Sequence, residues 1–180
     1  MTIYYTGNGD KGKSGLIGGA LLDKDDTLFD LIGNIDELNS YIAVCLLHVE
    51  DKQIIEDLDL IQDNLFSISA VVANSQNSHE ISKVKVPTPE LIEKEIARMG
   101  ADLPELKKFV IPAGCAASSH LHVARAIARR TERNLVRFAK AHGSDLGLSP
   151  YMNRLSSFLF VSALYINHTA KVEERNPRYI

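Results

Sequence analysis

Apolar residues in this chain recur every three or four positions over long stretches, and that spacing restricts it to helices packed on helices. Between 28 and 49, Leu28, Leu31, Ile35, Leu38, Ile42, Cys45 and Val49 draw one stripe along a helix. Residues 52–74 repeat the pattern with Ile54, Leu58, Ile61, Leu65, Ile68 and Val72. The longest candidate runs from Ala116 to Ala141, with Leu121, Ala124, Ala128, Thr131, Leu135 and Phe138 on one side. Ser149-Pro150 opens a last helix reaching about Lys171, whose apolar face carries Leu155, Phe158, Val161, Leu164 and Tyr165. Thr88-Pro89 reads as an N-cap and first-turn proline of a shorter helix through Met99, stopped by Gly100. Asn74 to Pro89 is a polar connection, and Phe109-Val110-Ile111-Pro112 a short extended run. Strands do not alternate with helices. The expected fold is all-α: a five-helix bundle, four long helices and one short, in a single domain over 1–180.

Residues 1–26 break this pattern. They hold Gly7, Gly9, Gly12, Gly15, Gly18 and Gly19, six of the chain's 11 glycines, too many for a stable helix. The segment is expected to be a loop with short extended pieces. At 180 residues with 45% hydrophobic content, the rest can bury a core without disulfide or metal staples. A net charge of −3 gives the whole chain no reason to seek nucleic acid or an anionic membrane. No apolar run approaches membrane-spanning length, and MTIYYTGNGDKGKS lacks an apolar leader. Cys45 and Cys115 are far apart and form no CxxC pair. A cytoplasmic location is expected.

Cationic charge is nonetheless concentrated on one helix. On 116–141, Arg125, Arg129, Glu132 and Arg133 fall at i, i+4, i+7 and i+8, within about a quarter turn, beside the apolar stripe. Arg130 and Arg137 point elsewhere, and Glu132 is the only acid among six basic residues there. Arginine suits a polyphosphate because its planar guanidinium offers forked donors and stays charged. Glu132 could orient the arginines or help hold a divalent cation riding on the phosphates. The plainer reading is a solvated face. Against it, these arginines flank the core stripe instead of opposing it.

Gly7-Asn8-Gly9-Asp10-Lys11-Gly12-Lys13-Ser14 satisfies the P-loop pattern GxxxxGK[ST] letter for letter. That pattern needs a buried strand before it and a helix after it. Here Gly15-Leu16-Ile17-Gly18-Gly19 cannot start a good helix. The P-loop fold is therefore excluded, while the phosphate-cradling physics of backbone N–H groups, a lysine and a hydroxyl survives. His120, His122 and His168 suggest a metal, but no Glu-x-x-His pair accompanies them, so structural or capping roles are expected. Asp36, at the edge of its helix's apolar stripe, is costly unless paired, and the arginine face offers a partner.

Several blocks in order resemble the PduO type of ATP:cob(I)alamin adenosyltransferases. They are TGNGDKGKSGLIGG at 6–19, Lys24-Asp25-Asp26, GNIDELNS at 33–40, Phe109-Val110-Ile111-Pro112, LHVAR at 121–125, RRTER at 129–133 and YMNRLS at 151–156. The resemblance implies a five-helix bundle assembled as a homotrimer with active sites between subunits. It implies transfer of the 5′-deoxyadenosyl group of ATP to cob(I)alamin, with Mg²⁺ present and no dedicated protein metal site beyond Glu132 nearby. By the same resemblance the N-terminal segment orders over ATP through Thr6, Gly7, Asn8, Gly9, Asp10, Gly12, Ser14, Gly15 and Lys24. The helices add Arg129, Arg130, Glu132, Arg133 and Asn153. Asp36 and Arg125 correspond to the family's carboxylate–arginine bridge. Phe109 corresponds to the phenylalanine that packs where the corrinoid's lower axial ligand would sit. A flavin reductase or a B12-dependent enzyme would be the protein partner. The family's Thr-Lys-Thr-Gly-Asp is here Thr6-Gly7-Asn8-Gly9-Asp10, its Pro-Gly-Gly is Pro112-Ala113-Gly114, and Ser157 stands where an acid is common. These departures define the alternative, a non-catalytic ATP and corrinoid carrier or sensor.

Overall fold

The computed structural model describes residues 4–5, 7–16, 21–75 and 84–178. Among them are five helices: α1 (Thr27–Leu46), α2 (Lys52–Ala73), α3 (Glu90–Ala101), α4 (Ala116–His142) and α5 (Ser149–Thr169). Helix α4 is central, packing on α5 and on α1, while α2 lies against α1 and α3 against α5. The stripes read from the sequence are the core: Leu28, Leu38, Ile42, Leu58, Leu65, Leu121, Ala124, Ala128, Phe138, Leu155 and Leu159 are all fully buried. Val161 and Tyr165 are only half-buried at its margin. Small residues at 124 and 128 let neighbouring helices approach α4 closely.

Local chemistry sets the helix ends. Asp26 caps α1 by accepting from the Leu28 amide at 2.8 Å, and Asp51 caps α2 through the Ile54 amide at 3.0 Å. Gly143, at φ 82, ends α4 in the left-handed conformation that a side chain resists. Several expected boundaries move. Helix α1 stops at Leu46, before Val49, and the start of α3 shifts: Pro89 occupies its N-cap place and not its first turn. Gly100 lies inside α3, which continues to Ala101, since a single glycine costs a helix only about 1 kcal/mol.

The N-terminal segment is a small hairpin. Strands β1 (Lys13–Gly15) and β2 (Leu21–Asp23) pair antiparallel, with Ser14 opposite Leu22. Two turns precede it, closed by Asp10 N–H to Gly7 O and Gly12 N–H to Gly9 O, each 3.2 Å. Ser14 thus starts no helix, and the P-loop exclusion stands. No helix among the described residues is long and apolar enough to cross a membrane.

Candidate functional site

The arginines share α4 but not its surroundings. Arg125 is half-buried, its Nε enclosed without a hydrogen-bond partner, and its guanidinium lies 5.7 Å from the centre of the Phe160 ring on α5. Burial first, and the nearby Arg129 charge second, lower its pKa from the usual arginine value, though the guanidinium remains charged at any ordinary pH. Arg129 and Arg133 are exposed one and two turns further on. Arg130 turns toward α1, where it donates to Asn34 Oδ1 at 2.9 Å and forms an ion pair with Glu37. Arg137 donates to Asn134 at 3.1 Å, away from the edge.

Glu132 is oriented by a polar chain across three helices. Asn153 Nδ2 donates to Glu132 Oε1 at 2.8 Å, Arg154 donates to Asn153 Oδ1 at 2.7 Å, and Arg154 Nε reaches Glu93 Oε1 at 2.8 Å. With both ends of the Asn153 amide used, the carboxylate between Arg129 and Arg133 is held in place before any ligand arrives.

At the other end of the edge opens a cavity of about 730 Å³. Phe109, Val110 and Pro112 form one wall; His122, Arg125 and Arg129 of α4 form another; Ser156, Ser157 and Phe160 of α5 complete it. Lys107 and Lys108 add two more cations, and none of the lining residues is acidic. Phe109 is 80% exposed, and it stands at the mouth of this cavity, not alone on the surface. Its loop is held from behind by the chain's last described stretch: Asn176 donates to the Phe109 carbonyl at 2.9 Å, and the Ile111 amide to the Arg175 carbonyl at 2.7 Å. The buried Asn167 amide adds bonds to Ala113 O, the Cys115 amide and Glu174. Arg129 lines the cavity and also continues the edge toward Glu132 and Arg133, so one residue joins the two halves.

Not all predicted site residues converge within one chain. Asp36 is exposed on α1, not buried at the stripe's edge, so it needs no internal partner. Among the described residues it makes no ion pair with Arg125. Gly7, Asn8, Gly9, Asp10, Gly12, Ser14, Gly15 and Lys24 do come together in the hairpin. The Lys24 amide donates to Gly12 O at 2.8 Å, and the Lys24 ammonium lies so close to Gly9 that a Cβ there would meet it at 2.9 Å. Lys13 pairs with Asp23 at 3.0 Å. These contacts are internal to the segment. Thr6 lies outside the described residues.

The histidines separate. His120 accepts or donates with Tyr41 Oη at 2.9 Å and stacks on His48 at 4.5 Å; the exposed His168 lies near the end of α5. Among the described residues no three histidine, cysteine or acidic groups could hold a metal together. His122 is different: it lines the cavity from the face that carries Arg125 and Arg129, three and seven residues further along α4, a spacing that was there to be read. Phe160, Ser156 and the Arg175–Asn176 strap were likewise missed, because nothing in linear spacing links residue 109 with 160 or 176.

Comparison with known proteins agrees with this geometry. The family described as Cobalamin adenosyltransferase matches residues 4–166. A corrinoid adenosyltransferase from Bacillus subtilis (strain 168) is 36% identical over 169 residues, covering 91% of this chain and 86% of its own. The corrinoid adenosyltransferase MMAB of Homo sapiens is 36% identical over 168 residues, covering 89% and 67%. A variant PduO-type ATP:corrinoid adenosyltransferase from Lactobacillus reuteri, solved with cobalamin and ATP, superposes with a TM-score of 0.91 at 31% identity, covering 98% and 97%. This chain belongs to the cobalamin adenosyltransferase family.

Proposed function

We propose that this chain transfers the 5′-deoxyadenosyl group of ATP to the cobalt of a reduced corrinoid, releasing triphosphate. The observation that carries the reading is a single cationic edge with two environments: a cavity walled by an exposed phenylalanine at Arg125, and a preset carboxylate–arginine row from Arg129 to Arg133. The reaction needs both. The cobalt–carbon bond forms as the C5′–O5′ bond breaks, and the electron pair leaves on the triphosphate.

Each residue has a physical task. Arg129 and Arg133 draw the triphosphate to the edge and stabilise the charge that grows on it as the C5′–O bond opens. Glu132, fixed by Asn153, keeps the guanidinium groups apart and oriented. Mg²⁺ fits a donor set of triphosphate oxygens and water with Glu132 as the one nearby carboxylate, where it would neutralise phosphate charge. Phe109 and Phe160 offer the corrin ring apolar walls and exclude water from its lower face. Arg125 fixes the ring at its rim. The protein contributes orientation and electrostatics; the corrinoid carries the hard chemistry.

In this reading the protein is a homotrimer. Asp36 of one subunit meets Arg125 of a neighbour, and the hairpin carrying Gly7–Gly15 and Lys24, with Thr6 before it, closes over ATP at that boundary. The exposure of both Asp36 and the hairpin in the single chain supports this arrangement. A flavin reductase would supply the reduced corrinoid, a B12-dependent enzyme would take the product, and the setting would be the cytoplasm. Incubation with ATP, Mg²⁺ and chemically reduced cobalamin should yield the adenosylcobalamin spectrum. Retained ATP binding with no product would overturn the catalytic reading, and a monomer at working concentration would overturn the trimer.

A further inference from the structure

The cavity wall contains a histidine without a partner. His122 is 3% exposed, lines the cavity, and has both ring nitrogens buried without a hydrogen bond. One turn along, Arg125 Nε is buried and unpartnered as well. The His122 ring lies beside Phe160, with centroids 6.0 Å apart and planes tilted 55°. Burial first, and the Arg125 charge second, lower the His122 pKa, so the ring is neutral at pH 7. A neutral imidazole carries one N–H donor and one bare acceptor nitrogen. Leaving such groups unpaired in a fold is costly, and unpaired buried polar atoms on a residue that lines a cavity call for a partner from outside the chain.

The donor–acceptor count narrows the ligand group. A phosphate or carboxylate offers acceptors only: it can serve Arg125 and the imidazole N–H, but it leaves the bare nitrogen facing negative charge. An ammonium offers donors only and meets a cationic wall. A primary carboxamide offers both, its carbonyl accepting from the guanidinium or imidazole N–H and its NH₂ donating to the bare nitrogen. The rim of a cobalamin carries several such carboxamides. We propose that His122 is a specificity-determining residue of the cavity, reading one side-chain carboxamide of the corrinoid and discriminating against the corresponding carboxylate. This rests on the reading of the cavity as the corrinoid side of the site.

The test is a spectroscopic titration with cob(II)alamin in the presence of MgATP, together with steady-state adenosylation. Wild type, His122→Gln and His122→Leu are compared, using cobalamin and the cobalamin monocarboxylates in which one side-chain amide has been hydrolysed. His122→Leu should weaken cobalamin binding about tenfold and raise the corrinoid KM alike, with the ATP KM unchanged. His122→Gln, which keeps a neutral donor and acceptor, should stay within about threefold of wild type. Wild type should bind one monocarboxylate about tenfold more weakly than cobalamin, and His122→Leu should lose that preference. Equal binding by His122→Leu, or a Gln variant as poor as Leu, overturns the assignment. If His122→Leu fails to fold, the wild-type comparison decides: equal affinity for every monocarboxylate overturns it. A wild type that binds cobalamin but shows no preference defeats this inference alone. One that takes no cobalamin defeats the proposed function as well.

Discussion

The edge of α4 and the N-terminal hairpin both carry groups suited to phosphate, yet only one of them is built into the core. Arg125, Arg129 and Arg133 project from a helix whose adjoining apolar stripe, from Leu121 to Phe138, is fully buried between α1 and α5. The hairpin has two strands of three residues, a few turn hydrogen bonds, one exposed ion pair, and partly buried Leu16 and Leu22 as its apolar anchors. Opening the hairpin exposes little apolar surface, whereas displacing α4 dismantles the fold. Under the proposed function the difference would divide labour between a fixed half that sets where charge is stabilised and a lightly anchored half that a nucleotide can recruit. Pre-set dipoles cost no reorganisation during reaction, while a strap that orders on binding can admit substrate and release product.

The comparison breaks most visibly at two glycines. Gly114 sits at φ 132 in the Phe109 loop, and a Cβ there would collide with the side-chain amide of buried Asn167. Gly114→Ala must strain the backbone and displace an amide that makes three hydrogen bonds, so a loss of about 3–5 kcal/mol is expected. Gly12, at φ 75, has open space around it, and Gly12→Ala should cost only about 1 kcal/mol of left-handed strain. Thermal or urea unfolding measures both. Equal losses would show that the hairpin is as built-in as the core loop.

Alkaline pH probes two groups buried in the helical bundle. Tyr151, buried and accepting from Asn64 Nδ2 at 3.1 Å, has its pKa pushed up to about 12 by burial. Burial likewise pushes the Cys45 thiol to about 12. Both native values exceed those of the unfolded chain, so the folded state holds its protons longer. The associated stability is complete below about pH 9 and is lost as pH rises toward 12. For Tyr151 this amounts to about 2–3 kcal/mol. Tyr151→Phe should flatten that part of the profile, and an unchanged slope would argue against an ionisation cost there.

Much of this division is legible in the sequence. Period-3.6 stripes identify the buried faces because every helix has one core side, and Arg125-Arg129-Arg133 are neighbours by helix geometry alone. Register between helices is not so encoded. Hence Asp36 reads as an edge residue needing a partner although it is exposed, Arg130 proves to be tied to Glu37, and the Phe109 loop gives no sign of its strap at Arg175–Asn176. His122 is a different case: its spacing of three and seven residues before Arg125 and Arg129 places it on the arginine face, but the cavity that gives this position meaning depends on how α5 and the Phe109 loop pack there.

Arg129, shared by the cavity and the phosphate row, should show the largest effect on binding. Arg129→Ala should weaken ATP binding about 10- to 100-fold, the range for a charged hydrogen-bonding group, with little change in melting temperature because the side chain is exposed. Isothermal titration with MgATP measures it. Unchanged affinity would mean the triphosphate lies elsewhere.

Lys24 should show the smallest effect, and its smallness is what the comparison requires. Its ammonium stands beside Gly9, in the turn that precedes the hairpin, and the side chain is exposed. Lys24→Ala should leave thermal stability unchanged and raise the KM for ATP about threefold, the scale of one solvent-screened charge. Because the contact is exposed, that increment should shrink toward nothing in about 0.5 M salt, and the larger Arg129→Ala loss, also at an exposed side chain, should shrink but stay measurable. A Lys24 effect as large as that of Arg129 at every salt concentration would place the hairpin in the fixed half of the site and remove the distinction between the two regions.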